Sequence, residues 1–130
     1  MVISEGPHDA QQTTIERLGI ASSVDLLVTS AGEGASKSDG LFEKALARAK
    51  CKCHEVLYVG DSIERDIAPA FALGMVCVYA GEGEPPGGFP AVKLDLMSLG
   101  QLLDQATPTP DEAYTEGKSD FIRRVLDRAR

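Results

Sequence analysis

At 130 residues the chain is long enough for one domain with a real core and too short for two ordinary ones. Its 43% apolar and 25% charged residues exclude a disordered chain, and no run nears the roughly 18 apolar residues of a membrane span. A net charge of -7 argues against a nucleic-acid partner, whose phosphates demand a surplus of Lys and Arg.

Three cysteines without a framework of spacings suit a reducing compartment, and the N-terminus carries no secretory pattern. The expectation is a cytoplasmic protein with no membrane or nucleic-acid partner.

The chain opens with MVIS, a β-prone run ended by Glu5, Gly6 and Pro7. Ala10, Thr14, Ile15 and Leu18 recur at helical spacing, which predicts a helix from His8 that stops at Gly19. Residues 24–30 (VDLLVTS) read as a buried strand, and AGEGASKSDG as a polar, glycine-rich loop. Leu41, Phe42, Ala45, Leu46 and Ala49 form one helical stripe. EVLYVG, residues 55–60, is the next strand. Ile63, Ile67, Ala70 and Phe71 share a helical face, and Pro69 is confined to a first turn, which places the helix start near Asp66.

MVCVYA is a further strand that puts Cys77 in the core, and EGEPPGGFP is a loop. A weak strand over 92–96 and a helix over 98–106 follow. Composition makes 107–119 a linker, and Phe121, Ile122, Val125, Leu126 and Ala129 predict an amphipathic C-terminal helix over 120–130. Strand alternates with helix, and the connections are too long for hairpins. The fold class is therefore α/β, a Rossmann-like parallel sheet with helices on both faces, with residues 1–106 as its core. Because the chain opens almost inside a strand, this sheet is expected to be incomplete at its N-terminal side.

In open parallel sheets, ligands bind outside the carboxyl ends of the strands. Ser4 ends the first strand, Lys37 lies in the loop after LLVTS, Asp61 ends LYVG, and Asp66 follows five residues later. A hydroxyl and backbone N–H groups at a strand end suit phosphate oxygens, and a lysine adds a point charge. Two carboxylates near one turn supply the hard oxygen donors that Mg2+ favours. Together these groups describe a site for phosphate and magnesium.

The segments VISEGPHDAQQTTIERLGIASSVDLLVTS, KSDGLFEKAL and LYVGDSIERDIAPAFALGM resemble the haloacid dehalogenase (HAD) superfamily of hydrolases, from Val2 to about Gly81 and more loosely to Leu103. Ser4, Glu5 and Gly6 stand where the family has its second motif, a Ser or Thr commonly followed by Asn-Gly. Lys37, Ser38, Asp39 and Gly40 stand for the third, often Lys-Pro-Asp-Pro. Gly60, Asp61 and Ser62 with Asp66 match the fourth without a break, and Ala70 and Gly74 also fall into place.

The resemblance implies Mg2+-dependent hydrolysis of a phosphate ester through an aspartyl-phosphate, with a small phosphorylated metabolite as substrate. In that scheme Ser4, Glu5, Gly6 and Lys37 bind the phosphoryl group. Lys37 also steadies the nucleophile as a catalytic residue, and Asp61 and Asp66 hold the metal directly or through water. The departure is the family's first motif, Asp-x-Asp, whose first aspartate attacks phosphorus; the sequence contains none, nor the cap that selects the substrate. The expectation is a truncated HAD-like hydrolase, inactive alone, with the choice between phosphatase and dehalogenase open.

Two readings stand beside it. One is a non-catalytic phosphate- or Mg2+-binding module, or a half-domain completed by self-association or by a partner chain at an exposed sheet edge. The other is a receiver-like domain phosphorylated on Asp61, which lacks the usual acidic pair on the first strand. Residue by residue, Asp61 and Asp66 can instead cap the helix near Ile67, Lys37 can be a solvated loop lysine, and Ser4 a turn residue. His8 reads as a surface histidine at a helix start. Cys51, Cys53 and His54 read as surface-loop residues, since zinc needs four converging ligands and no second cluster supplies them.

Overall fold

The structure is a computed structural model that describes residues 1–87 and 91–106 and, beyond them, Ile122, Arg123 and Asp127. The expected linker, 107–119, lies outside the described residues. So does the expected helix over 120–130 apart from those three positions, of which Ile122 is buried. The chain divides into two compact units, Met1–Cys51 and Lys52–Arg130.

In the first unit β1 (Val2–Ser4) leads through α1 (His8–Arg17) to β2 (Leu27–Thr29), then to the short α2 (Ser30–Glu33) and to α3 (Leu41–Ala49). β1 and β2 pair in parallel, Val2 opposite Leu27 and Ser4 opposite Thr29, and the intervening helix is the crossover that parallel pairing requires. The second strand is shorter than expected, Leu27–Thr29, and lies between two helical turns. A 3-10 turn covers Ala21–Ser23, and α2 starts at Ser30, where the buried Thr29 hydroxyl accepts from the Gly32 N–H at 3.2 Å. The expected loop therefore opens as a capped helical turn, ended by Gly34 in the left-handed region.

The stripe on α3 meets its expectation, with Leu41, Phe42 and Ala45 wholly buried. Leu41 and Ala45 pack with Val28, and Ile3, Leu26 and Ala35 close around them. The stripe on α1 is narrower than its spacing suggested. Only Ile15 is buried, and Leu18 is 66% exposed.

The second unit runs β3 (Leu57–Gly60), a π-helical turn (Ile63–Ile67), α4 (Ala68–Ala72), β4 (Val76–Tyr79), β5 (Val92–Lys93) and α5 (Leu96–Ala106). Its strands lie in the order β3-β4-β5, all parallel. The helical segment after β3 starts at Ile63, not near Asp66. The Ser62 side chain caps it by accepting from the Arg65 N–H at 3.3 Å, and the Ser62 carbonyl accepts from both Asp66 and Ile67. Pro69 then falls in the first turn of α4, directly after the π-helical stretch. Ile67 and Ala70 face the core, whereas Phe71 is 42% exposed and leaves the expected face.

Cys77 lies in the core as expected, and burial pushes its thiol up to about 11. α5 begins two residues earlier than its apolar pattern indicated. Asp95 caps it, accepting from the Ser98 N–H at 2.8 Å and from the Ser98 hydroxyl at 3.0 Å. The α/β class with parallel strands is thus realised in both units.

Two outcomes follow from this packing. Leu41→Ala removes a side chain with no exposure and is expected to cost about 2–5 kcal/mol in urea unfolding. The Ser98 bonds hold the Asp95 carboxyl below its ordinary 3.8. The cap is therefore complete above that value and is lost as pH falls through the lower folded one. In NMR spectra the Ser98 amide is expected to stay in place on acidification to about pH 4 and to move only below it.

Candidate functional site

In the second unit the site is built around a buried carboxylate. Asp66 is 4% exposed. Its Oδ1 accepts from the Tyr58 hydroxyl at 2.9 Å and its Oδ2 from the Ser62 N–H at 3.2 Å. Burial first, then the Asp66 charge and the hydrogen bond to it, holds the Tyr58 hydroxyl well above the usual tyrosine range.

Gly60 makes this arrangement possible. A Cβ placed on it would lie 2.5 Å from the Asp66 Cβ and 2.9 Å from its Cγ, closer than carbon atoms tolerate. The aspartate occupies the space that a side chain at position 60 would need. Each residue of Gly-Asp-Ser then has its own task. Gly60 admits Asp66, Ser62 caps the helical turn and donates its amide to Asp66, and Asp61, between them, is exposed to solvent. Ser62, and neither aspartate, provides the side-chain cap of this helical segment.

The loop after β4 packs on the same turn. A Cβ on Gly81 would collide with the Asp61 carbonyl oxygen, and the Ala80 N–H donates to the Gly60 carbonyl at 2.8 Å. Lys93 donates to the Gly81 carbonyl and sits 4.5 Å from the centroid of the Tyr79 ring.

Among the described residues no three His, Cys, Asp or Glu side chains form a metal-holding cluster. Two carboxylates are nonetheless a fitting protein donor set for Mg2+, which takes hard oxygen ligands and keeps several of its waters.

In the first unit the expected phosphate-binding residues lie in one braced turn. Gly6 has φ of 122°; its N–H donates to the Ser30 hydroxyl at 2.8 Å and its carbonyl accepts from Ala31 at 3.4 Å. Gln11 donates to the Glu5 carbonyl at 3.4 Å. The Glu5 carboxylate accepts from the Lys37 backbone N–H at 3.0 Å, which ties the Lys37 loop to the end of β1; the Lys37 side chain is half-buried.

Sequence reasoning missed Ser30 and Thr29. The Thr29 hydroxyl lies 3.3 Å from the His8 Nδ1, and Ser30 braces Gly6. The signal for both was a polar pair ending an apolar strand.

The structure brings Ser4, Glu5, Gly6 and Lys37 together within the first unit, and Asp61 and Asp66 around one turn within the second. The family model for haloacid dehalogenase-like hydrolases matches residues 1–80, more than half of the chain. The chain belongs to this family.

Over 111 residues it is 32% identical to a ribulose-1,5-bisphosphate 5-phosphatase of Halopiger xanaduensis, a match covering 85% of this chain and 39% of that one. Over 84 residues it is 37% identical to a glyceraldehyde 3-phosphate phosphatase of Methanocaldococcus jannaschii, covering 64% and 37%. Among solved structures, a HAD phosphatase from Thermococcus onnurineus superposes with a TM-score of 0.65 at 22% identity, over 75% of this chain and 46% of that one. A haloacid dehalogenase-like hydrolase from Xanthomonas campestris gives 0.58 at 16% identity, over 98% and 44%. At these identities the two structures show the fold. The chain spans about two-fifths of the length of the curated relatives it matches.

Gly60→Ala is expected to lower stability by about 1–3 kcal/mol through overpacking against Asp66, read as a lower melting temperature. Gly87→Ala, at a glycine whose added Cβ meets nothing within 4 Å, is expected to leave it unchanged.

Proposed function

We propose that the chain carries the phosphate- and Mg2+-binding machinery of a phosphatase acting on a small phosphorylated metabolite. The observation that carries this reading is the Gly60–Ser62 turn, where a buried Asp66 braces the segment that presents an exposed Asp61. Both curated relatives are named as phosphatases of phosphorylated metabolites, which favours a phosphate ester over a haloacid as the substrate class.

In this reading Asp61 and Asp66 hold Mg2+, which when bound neutralises charge on the phosphoryl oxygens. Within the first unit the Ser4 hydroxyl, at the strand end beside the Gly6 turn, is a donor suited to phosphate oxygens. Lys37, in the same unit, adds the positive charge that favours a bound phosphate. Glu5, itself an anion, serves by tethering the Lys37 backbone rather than by touching phosphate.

The aspartyl-phosphate route needs an attacking carboxylate, and the sequence has no Asp-x-Asp to provide it. In this reading the residues of this chain bind phosphate and Mg2+ without turning over substrate by themselves. No helix among the described residues is long and apolar enough to cross a membrane, and the proposed setting is the cytoplasm.

The test combines turnover with binding. Hydrolysis of an aryl phosphate with and without Mg2+ is expected to stay at the level of an identically purified Asp61→Asn control. The 31P resonance of inorganic phosphate is expected to shift with the wild-type chain and not with Lys37→Ala. Metal-dependent turnover that disappears in Asp61→Asn would overturn the claim of inactivity. Phosphate that ignores the protein, or binds Lys37→Ala equally well, would overturn the phosphate site.

A further inference from the structure

We propose that Tyr58 is a positioning residue for the acidic pair: its hydroxyl fixes the Asp66 carboxylate, and through Asp66 it sets the peptide that presents Asp61. The proposal rests on the reading of Asp61 and Asp66 as the Mg2+-holding pair.

The argument begins with strand periodicity. Side chains two residues apart point to the same face of a strand, so Tyr58 and Gly60 in β3 share one. Because Gly60 has no side chain, that face has a vacant position beside the tyrosine, and the Asp66 side chain fills it. The phenol then reaches Oδ1 at 2.9 Å while the Ser62 N–H reaches Oδ2 at 3.2 Å. One donor comes from the strand and the other from the turn, so the carboxylate is fixed in rotation as well as in place.

The Ser62 N–H belongs to the peptide that joins Asp61 to Ser62. Its hydrogen bond to Asp66 therefore orients the backbone immediately after Asp61. A force applied at the phenol is transmitted to Asp61 through one carboxylate and one amide. The pair is buried, where a hydrogen bond is stronger than in water and a lost partner is not readily replaced by solvent. Outer partners of this kind typically govern metal affinity as strongly as some ligands do.

Tyr58→Phe keeps the ring and removes only the donor. With the full chain, calorimetric titration with MgCl2 is expected to show affinity lowered about tenfold or more, and the Ser62 amide resonance of the metal-free protein is expected to move. Val78→Ala, a fully buried position in β4, serves as a control for lost stability. It is expected to melt lower than wild type while retaining wild-type Mg2+ affinity. Tyr58→His, which keeps a donor on a shorter ring, is expected to recover part of the affinity lost in Tyr58→Phe.

Wild-type affinity in Tyr58→Phe, or an equal loss in Val78→Ala, would overturn the positioning role and leave the metal pair intact. A wild-type chain that binds no Mg2+ would overturn the metal reading and this proposal with it. Should Tyr58→Phe not fold, the Tyr58 ring resonances of the unmodified chain are followed on adding MgCl2. A shift that saturates with the metal supports the relay, and resonances indifferent to bound metal overturn it.

Discussion

The constraint on which the second unit depends is a carboxylate taken out of water. An ionised group buried without partners would cost several kcal/mol or more, so Asp66 requires donors on both oxygens, and the surrounding chain is arranged to supply them. Tyr58 provides one from the strand, and the backbone of Ser62 provides the other. Gly60 yields its side-chain volume so that the aspartate can enter.

The turn then widens. The amides of Ile67 and Ala68 reach back five residues, to the carbonyls of Ser62 and Ile63, and this π-helical stretch gives way to an ordinary helix just before Pro69. Wide turns of this kind are frequent at functional sites. Here the turn leaves Asp61 at the surface beside a rigid, buried partner.

Much of this was legible in the sequence, and the parts that were not share a physical cause. The stripe on α3 could be read because Leu41, Phe42 and Ala45 are all driven to the core, and periodicity reports burial. Gly-Asp-Ser with a second aspartate could be read as a motif. Its inner logic could not, because period-2 alternation places Tyr58 and Gly60 on one face without saying what fills the vacancy. The helix start at Ile63 was hidden because Pro69 argued for a later one, while the Ser62 cap overrode it locally. Leu18 and Phe71 had helical spacing but are exposed, since spacing identifies a face and not whether anything covers it. The bond from Gly6 to Ser30 spans 24 residues, and such non-local partners leave no local signature.

The first unit braces its proposed phosphate-binding turn by a different device. The family pattern suggested Asn after the strand-ending hydroxyl; here a glutamate stands there, and its carboxylate is engaged by the backbone of Lys37. In the proposed reading a negative charge beside phosphate is tolerable because it holds the Lys37 loop. The turn is braced from α1 by Gln11, from α2 by Ser30 and Ala31, and from the following loop by Lys37. Both units thus follow one rule: a carboxylate next to the site organises backbone, so that the groups meant for ligand are presented on a fixed frame.

The central claim is that Asp61 and Asp66 are a cation-binding pair, and paramagnetic broadening by Mn2+ in place of Mg2+ tests it most directly. In 1H–15N spectra of the whole chain, substoichiometric Mn2+ should broaden the amides of Gly60, Asp61 and Ser62 first, and the effect should vanish in Asp61→Asn. Broadening centred on another acidic stretch, or persisting unchanged in Asp61→Asn, would contradict the account.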